Sequence, residues 1–455
     1  MTGGLFSSLS MAVRSLDAQR VGIDVAGQNI ANLNTEGYSR RRVDYAEVVT
    51  AAHGVEVTGI RAVRDMFLEA RLRQEQPAEA REGAIASSLQ VLETALAGTG
   101  RSLDAQLTAF FDSFAALAQD PTSMVARDAV ALQGRQLVAA FGDAADALDT
   151  TRRATDTDIR GGVEELNALT REIASINSAI GSAGNANTEG LRDRQLLAVQ
   201  KLSRLMNVTV TAREDGGIDV AATGGRALVI GVNRYEVTVV NTPPQGLAAL
   251  TLGGADITSQ ITSGSLGGWL HVRDTLIPDY ESRLDSLAYS AATEVNTLHA
   301  AGTDLNGATG QNFFTPPAGI AGAAAALAVD PALAADPRKI AASQSGAAGD
   351  NEVAKAIAGL RDARVLNSGT TTLSGSWAQL VYRVGSDSAN ARTAQATRGE
   401  VVSQIARLRD SVVGVSLDEE AASLMKFQRA YEANARFFST VDQLLGTLLN
   451  MVGTL

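Results

Sequence analysis

The C-terminal stretch, residues 416–452, carries apolar side chains at alternating steps of three and four residues. This spacing predicts a helix with a heptad seam, which is a continuous apolar stripe on one helix face. At about 1.5 Å per residue the helix would be roughly 55 Å long. Ser416 and Glu419 have the spacing of a capping box at its start. The seam positions are Leu424, Phe427, Tyr431, Asn434, Phe438, Val441, Leu445, Leu448 and Val452.

The N-terminal stretch repeats the pattern, and its helix is expected to stop in residues 34–37, NTEG, because asparagine and glycine favour a C-terminal turn. Each seam contains one polar residue, Gln19 or Asn434, which we expect to fix the register of the bundle. Seam-bearing helices at both chain ends favour an assembly surface over an ordinary core stripe. They are expected to pack against each other or against copies of themselves. The N-terminal seam positions are Leu5, Leu9, Ala12, Leu16, Gln19, Ile23, Ala26, Ile30 and Leu33.

The energetics favour an assembly over an isolated pair of helices. Full burial of the C-terminal seam would contribute on the order of 10–25 kcal/mol, at roughly 1.5–3 kcal/mol per position. Ordering the backbone costs roughly 1–2 kcal/mol per residue, and helical hydrogen bonds recover only part of that. The terminal helices are therefore expected to be only marginally stable in the monomer and to become stable within an assembly.

Long helical patterns dominate the interior. Pro77 is expected to kink or break the helix that contains it. Asp120 and Pro121 are expected to be the N-cap and first residue of a helix that continues to about Ile180. Pro278 is expected to disturb a later one. The predicted interior helices cover residues 65–97, a stretch from 102 onward, 121–180, 189–206, 266–301, 351–366 and 376–412.

Other segments change this picture. Alternating apolar and polar residues between glycine and proline pairs predict a small antiparallel β-subdomain in residues 207–262 and a short hairpin in residues 43–63. Residues 303–349, rich in glycine, proline and alanine, are expected to form a linker or a short exposed excursion. The predicted fold is mainly α, with long terminal helices in a coiled-coil-like bundle, a multi-helix rod domain and the β-subdomain. The expected domains are a terminal domain (1–40 and 413–455), a rod domain (41–206 and 263–412) and the β-subdomain (207–262).

Composition narrows the function classes. The chain has 455 residues, enough for two or three domains, and only 4% aromatic residues. Its net charge of −11 argues against nucleic acid and anionic membrane surfaces as partners. It contains no cysteine, which excludes disulfides, thiolate zinc sites and cysteine nucleophiles. No pattern of a cleavable signal peptide or a membrane span is found, so the chain is expected either to stay cytoplasmic or to leave by a route without a cleaved signal.

No motif indicates catalysis, a metal or a cofactor. His53, His271 and His299 lack metal-type neighbours and are expected to be surface or packed histidines. The stretch 304–307, DLNG, lacks the acidic twelfth ligand of a calcium loop, and 264–268, GSLGG, is interpreted as a tight turn rather than a phosphate loop. Paired acids such as 164–165, EE, and the arginine run 40–42 are typical of solvated faces. The sequence therefore predicts no catalytic, cofactor-binding or metal-binding residues.

The two ends of the chain carry the family resemblance. Residues 28–38, QNIANLNTEGY, resemble the N-terminal signature of bacterial flagellar axial proteins, and residues 427–435, FQRAYEANA, resemble their C-terminal signature. Interior stretches are similar to the hook-associated protein 1 family within that class, and they come in that family's order. These stretches are 191–195 (LRDRQ), 264–268 (GSLGG), 312–314 (NFF), 349–351 (GDN) and 415–420 (VSLDEE).

The resemblance implies a structural role in the hook-filament junction and in motility. It implies terminal helices that build an inner tube, type III export of the unfolded chain, transient residence in the cytoplasm and a final place in the extracellular flagellum. The implied partners are copies of the chain in a ring or tube layer, the hook protein, the second junction protein (hook-associated protein 3) and a cytoplasmic export chaperone on the C-terminal helix. The expected interface residues are Leu5, Leu9, Leu16, Ile23, Asn29, Asn32, Gly37, Tyr38, Leu424, Phe427, Tyr431, Asn434, Phe438, Val441, Leu445 and Leu448.

The chain departs from the family in one place. Members often carry a β-rich outer domain after the Phe-Phe stretch, whereas here only the Ala/Pro-rich residues 315–335 remain as its expected vestige. Two other interpretations stay open. The chain is alternatively another axial protein, such as the second junction protein, a hook subunit or a rod subunit, or an axial scaffold that carries a cell-wall hydrolase.

Overall fold

The computed structural model describes residues 2–48, 54–96, 102–184 and 188–452. Long helices dominate these ranges, so the predicted mainly-α fold is confirmed. His53 lies outside the described residues. The helices are α1 (Thr2–Ala31), α2 (Met66–Leu96), α3 (Leu103–Gln119), α4 (Met124–Ser182), α5 (Glu189–Leu205), α6 (Gly264–His271), α7 (Ile277–Ala301), α8 (Ala323–Ala326), α9 (Pro331–Ala335), α10 (Glu352–Gly359), α11 (Leu373–Val413) and α12 (Leu417–Val452).

The described strands form small antiparallel sheets. The hairpin β1–β2 follows α1, and two sheets, β3-β4-β5-β6 and β7-β8-β9, lie between α5 and α6. The predicted strand-rich segment is thus present. The strands are β1 (Arg41–Glu47), β2 (Val55–Ala62), β3 (Val208–Ala212), β4 (Ile218–Ala222), β5 (Ala227–Ile230), β6 (Asn233–Arg234), β7 (Val237–Thr242), β8 (Leu247–Leu252) and β9 (Ala255–Asp256).

Two packing regions position the chain ends relative to the body. Helix α1 packs along α12 and against the β1–β2 hairpin. The body is built around α2 packed against α11, with α3, α4 and α7 closing one continuous apolar core. A second core joins α4, α5 and α6 to the two sheets of the β-subdomain.

The segment 303–349 contradicts the prediction of a linker. Phe313 and Phe314 are fully buried and pack with Phe110 and Phe114 of α3, at ring-centroid distances of 5.3 to 5.7 Å. Asn296 of α7 fixes the two phenylalanines, because its Oδ1 accepts from both of their backbone N–H groups. Some of the small side chains of the segment are core residues, namely Ala323 and Ala324 of α8 together with Ala341 and Ala342, so the composition alone did not reveal them.

Proline does not break α2, so the break, one of the two predicted outcomes, is wrong. Pro77 lies inside the continuous helix and is buried. Its missing N–H removes one helical hydrogen bond, but α2 is held on both sides of the proline by packing against α11 and α6. Pro278 behaves as expected, because a π-helical turn, Val272–Leu276, immediately precedes α7 and the proline occupies the first turn of that helix.

The start of α4 also differs from the prediction. Asp120 and Pro121 form a turn, and Ser123 is the true N-cap, accepting from the backbone N–H of Ala126. From there α4 runs for 59 residues without interruption. Glycine at position 162 of α4 allows close packing, because a Cβ there would meet Trp269 and Leu266 at 2.9 Å.

The stretch 264–268 is a helix start in very close contact with other backbone, rather than an isolated turn. Gly264 has a φ of +74°, and a Cβ on it would lie 2.2 Å from the carbonyl oxygen of Leu205. Gly268 approaches α2 so closely that a Cβ would lie 2.5 Å from the carbonyl oxygen of Arg81. Glycine is therefore required where α6 meets the end of α5 and the middle of α2.

His299, at the end of α7, ties the 303–349 segment to the core. Its Nδ1 donates to the carbonyl oxygen of Gln311 at 2.7 Å, and its Nε2 accepts from the backbone N–H of Ala341 at 2.9 Å. Both ring nitrogens are therefore used by a neutral imidazole, since a protonated Nε2 has no lone pair for Ala341. Burial lowers the pKa of His299 to about 4.

This shift predicts acid sensitivity. The nearby guanidinium of Arg127 adds to the lowering, whereas Asp304 and Asp330 oppose it. The pKa of His299 in the folded chain lies below the ordinary value of about 6.5. The contribution of His299 to the free energy of unfolding is therefore complete above pH 6.5 and is lost as the pH falls to about 4. We expect a loss of about 3 kcal/mol across this window. Urea unfolding at several pH values measures this loss. A His299→Gln variant whose free energy of unfolding falls with pH as steeply as that of the wild type would contradict the assignment of the loss to His299.

Candidate functional site

The buried face of α1 consists mostly of small residues. This face is formed by Ala12, Ala18, Val25 and Ala26 together with Gly22. A Cβ on Gly22 would lie 2.9 Å from the ring of Phe427 of α12, so the glycine lets the aromatic ring rest on the α1 backbone. The two chain ends therefore pack as one closely spaced helix pair.

The predicted α1 seam lies at the edge of this contact rather than at its centre. Ala12 and Ala26 are buried, but the large seam residues are half-buried and Leu33 is exposed. The register device proposed for α1, Gln19, is likewise half-buried. The half-buried seam residues are Leu5, Leu9, Leu16, Ile23 and Ile30.

The predicted α12 seam faces α1 more directly. Val441 and Leu445 are buried, whereas Tyr431 is exposed and the Val452 side chain lies outside the described residues. The remaining positions stay only half-covered by α1, and their role in assembly remains a prediction. The half-buried members are Leu424, Phe427, Asn434, Phe438 and Leu448.

Sequence reasoning missed further apolar residues on the open side of the pair. Phe6 and Val13 of α1 and Phe437 and Leu444 of α12 are exposed. They fall outside a three-four seam, but Phe6 and Val13, like Phe437 and Leu444, are seven residues apart, which places each pair on one helix face. That spacing is the signal that a search for a second stripe would have found.

Asn29 is the polar centre where α1, the hairpin and α12 meet. Its Nδ2 donates to the carbonyl oxygen of Arg41 at 2.9 Å and to Glu420 at 3.0 Å. Its Oδ1 accepts from the hydroxyl of Tyr38 and the backbone N–H of Arg41, both at 2.8 Å. Burial raises the pKa of Tyr38, which keeps this hydroxyl protonated as a donor. Every hydrogen-bonding position of the buried amide is thus used.

The turn after α1 is built by other signature residues. Asn32 donates to the carbonyl oxygen of Gln28 and accepts from Thr35. Gly37 has a φ of +78°, and it packs against Leu197 of α5. The structure thus brings Asn29, Asn32, Gly37 and Tyr38 together at the end of α1.

The acidic start of α12 serves a different purpose from the predicted capping box. Arg40 pairs with Glu419 and Glu420, each at 2.7 Å. The carboxylates of α12 thus reach across to the segment after α1 rather than back to Ser416. The side chain of Glu420 is 4% exposed and pairs with both Arg40 and Asn29.

The arginine run is not a simple solvated face. Arg41 and Arg64 both pair with Asp193 of α5 at 2.7 Å, and Arg64 also pairs with Glu189 at 2.7 Å. The side chains of Arg41 and Asp193 are only 10% and 7% exposed. Removing one partner from such a buried network leaves an uncompensated charge, so these pairs fix the hairpin to α5. Asp193 lies in the LRDRQ stretch noted in the sequence.

The described part of the chain contains no group of three or more His, Asp or Glu side chains placed to hold a metal ion. No described helix combines the length and apolarity needed to cross a membrane. The feature that stands out is therefore a surface, the helix pair with its open apolar flanks.

Comparisons with known proteins agree with this arrangement. The family model "Flagellar hook-associated protein FlgK helical domain" matches residues 89–314. The models "Flagella basal body rod protein" and "Flagellar basal body rod FlgEFG protein C-terminal" match residues 9–38 and 411–451. The matches thus cover both terminal helices and much of the body.

Whole-length relatives carry one name, flagellar hook-associated protein 1. The relative from Escherichia coli K12 is 25% identical, over 98% of this chain and 100% of the relative. The relative from Bacillus subtilis 168 is 26% identical, over 98% of both chains. The solved structure of the flagellar hook junction protein FlgK from Burkholderia pseudomallei has the same fold, with a TM-score of 0.67 and 17% identity, over 75% of this chain and 100% of that chain.

These matches and the paired terminal helices define the class: the chain is a bacterial flagellar axial protein. Within that class it belongs to the family of flagellar hook-associated protein 1. Membership implies self-assembly and association with other flagellar components.

Proposed function

We propose that this chain is the structural subunit that joins hook to filament, polymerising through α1 and α12 into a ring or tube layer. The observation that carries the proposal is the incomplete burial of the helix pair. Although α1 and α12 pack together, the large residues of the α1 seam remain half-buried, and a second apolar stripe that includes Phe437 is exposed. Neighbouring copies would bury these flanks, as expected of terminal helices that are firm only in an assembly.

The proposed partners follow from the family and from this geometry. We assign the hook protein and the second junction protein, hook-associated protein 3, to the two sides of the layer. We also propose that a cytoplasmic chaperone covers α12 before type III export. The exposed apolar residues of α12 would need such cover in an unassembled chain. The role is structural, and no catalytic step is assigned to the chain.

The outer domain of the family is reduced to residues 315–335 in this proposal. The alignment with the Escherichia coli relative spans 544 positions although this chain has 455 residues, so that relative contains segments that are missing here. The residues that remain are packed into the core by Leu327 and Leu333. The junction role is therefore assigned to the terminal helices and body, independently of an outer domain.

Electron microscopy of a deletion strain, with the medium assayed for flagellin, tests this function. Bare hooks with flagellin shed into the medium are expected, because the filament has lost its docking layer. Normal filaments would contradict the proposal. Absent hooks would favour the alternative of a rod or hook subunit, and a strain that assembles filaments but fails to remodel its cell wall would favour the hydrolase alternative.

Phe438→Asp tests the terminal helices directly. Phe438 is half-buried on α12, and a carboxylate there would need to lose its water in the assembled layer without a partner. We expect export to continue but incorporation to fail, measured as hook-filament joints and motility in the complemented deletion strain. Ser439→Asp, at an exposed position on the same helix, is the matched control. Incorporation of the Phe438→Asp chain at the control level would contradict the interface.

A further inference from the structure

Three successive residues at the base of the β1–β2 hairpin reach two different helices. The backbone N–H of Ser39 donates to Asp193 of α5 at 3.4 Å, and the guanidinium of Arg41 donates to the same carboxylate oxygen at 2.7 Å. Arg40, which lies between them, pairs instead with Glu420 of α12 at 2.7 Å. Successive side chains of an extended chain point to opposite sides, so this base, residues 39–41, is attached to α5 on one side and to α12 on the other.

The attachment to α5 is a buried group of charges. Arg64, which follows β2, pairs with Asp193 and with Glu189 of α5, each at 2.7 Å. The side chains of Arg64 and Asp193 are only 14% and 7% exposed. Glu189 also accepts from the backbone N–H of Ala62 at 3.3 Å, and Ala62 lies opposite Arg41 in the hairpin ladder. Both strands are thus attached to α5 where the chain enters and leaves the hairpin.

The attachment to α12 involves the same stretch of backbone. Asn29 of α1 donates to Glu420, and it also bonds both the backbone N–H and the carbonyl oxygen of Arg41. The carbonyl oxygen of Arg40 accepts from the backbone N–H of Val63, just after β2, at 2.8 Å. The backbone that carries Arg40 toward α12 is therefore hydrogen-bonded on both sides, and it can shift little without disturbing the contacts of Arg41.

The two carboxylates at the ends of this arrangement, Asp193 and Glu420, are both buried. Within the described ranges they have no hydrogen-bond partner in common. Loss of the charge on either one leaves an arginine of the hairpin base without its full compensation, and such a charge moves toward water and shifts the backbone that carries it. A change at Asp193 thus has no direct contact with Glu420, but it has a short route through residues 39–41.

We propose that the hairpin base couples the docking of α12 to the attachment of the hairpin on α5. When α12 is docked, Glu420 holds Arg40, and the backbone in this position places Arg41 on Asp193. When α12 is undocked, the base loses this anchor, so its attachment to α5 weakens as well. Coupling of this kind is reciprocal, so each contact changes the stability of the other by the same factor.

The coupling goes beyond the proposed function, because it concerns contacts within one copy and exists before any assembly forms. It has one consequence that rests on the proposed function. A neighbouring copy that stabilises α12 in the assembled layer would also stabilise the attachment of the hairpin to α5. The terminal helices and the body would then respond to that neighbour as one unit.

Hydrogen exchange of the full chain tests the coupling. Asp193→Asn keeps the size of the side chain but removes its charge, and we expect the protection factors of the α12 amides near Glu420 to fall on the order of tenfold. Glu420→Gln is expected to lower the protection of the β2 ladder amides near Ala62 by a similar factor. Glu172→Gln is the matched control, because Glu172 pairs with Arg194 beside Asp193 on α5, but both of these side chains are exposed. It should leave α12 protection within about twofold of the wild type.

The chain that carries both Asp193→Asn and Glu420→Gln measures the coupling itself. We expect its loss of α12 protection to be clearly smaller than the product of the two single losses, because each substitution already removes the link through which the other acts. Losses that multiply would overturn the inference, since the two attachments would then be independent.

Two other results would also overturn it. One is an effect of Asp193→Asn on α12 no larger than that of Glu172→Gln, and the other is an α12 that is unprotected in the wild type, because no docked helix would then be present to couple. Amides of α3 and α4 should stay protected in every variant, and the β2 reading of Glu420→Gln decides the question if Asp193→Asn does not fold. If the coupling is absent while Phe438→Asp blocks incorporation, the inference fails and the proposed function stands.

Discussion

Asn29→Ala is expected to lower the free energy of unfolding of the terminal helix pair by about 3–5 kcal/mol. The alanine removes all the hydrogen bonds of a buried amide. It leaves a buried carboxylate oxygen of Glu420 and the backbone of Arg41 without those partners. Unsatisfied buried groups cost about 1–3 kcal/mol each, and more when charged. Because the groups lie on α1, on β1 and on α12, one substitution weakens contacts among all three elements.

Hydrogen exchange of the full chain measures this effect where it is expected. Amides of α1 and α12 should lose protection, whereas those of α3 and α4 should keep it, because local stability differs between cooperative units. Asn32→Ala is the matched control, since the side chain of Asn32 makes only exposed local hydrogen bonds, to Gln28 and Thr35, and the substitution should cost less than about 1 kcal/mol. Equal protection of α1 in the two variants would show that the Asn29 network is dispensable.

The positions of the terminal helices could be predicted from the sequence, but only some of the residues in the contact between them could. Periodicity reports which side chains are apolar, and it correctly predicted a helix near each end of the chain. The structure has these helices at 2–31 and 417–452, whereas the first was expected to stop only in residues 34–37. It did not predict that α1 would place Gly22 against Phe427 of α12 and leave Leu16 and Ile23 half-buried. Small residues let two helices approach closely, whereas a seam that is identified from hydrophobicity consists of large apolar residues.

The segment 303–349 was misjudged for a related reason. Glycine, proline and alanine are the composition of a linker, yet alanine is also among the residues most often buried. The two adjacent phenylalanines were noted for their family resemblance and not as core residues. A pair of large aromatic side chains in an otherwise aromatic-poor chain was the available signal.

Buried ion pairs between distant elements could not be found from one sequence. Arg40 and Glu420 are 380 residues apart, and Arg41 and Asp193 are 152 residues apart. Spacing rules apply to neighbours along a helix or a strand, so they assign such charges to solvent by default. Only the fold, which brings the chain ends together beside α5, shows that Arg40 and Arg41 join three segments.

Phe313→Ala is expected to destabilise the body by about 3–5 kcal/mol. Its ring is fully buried and packs against Phe110, Phe114 and Phe314, with centroids 4.8 to 5.7 Å away. It also packs on Gly134 of α4, where a Cβ would lie 2.7 Å from the ring. The substitution therefore leaves a cavity that the surrounding helices cannot easily fill, because the backbone of α4 is already in contact with the site.

Urea unfolding followed by circular dichroism measures the loss, with Leu305→Ala as control at an exposed position of the same segment. The result decides what the segment does. If the segment were a linker, Phe313→Ala and Leu305→Ala would both stay within about 0.5 kcal/mol of the wild type. A large effect of Phe313→Ala alone means that residues 303–349 are part of the body, so deletion of this alanine-rich stretch would unfold the domain that supports the terminal helices.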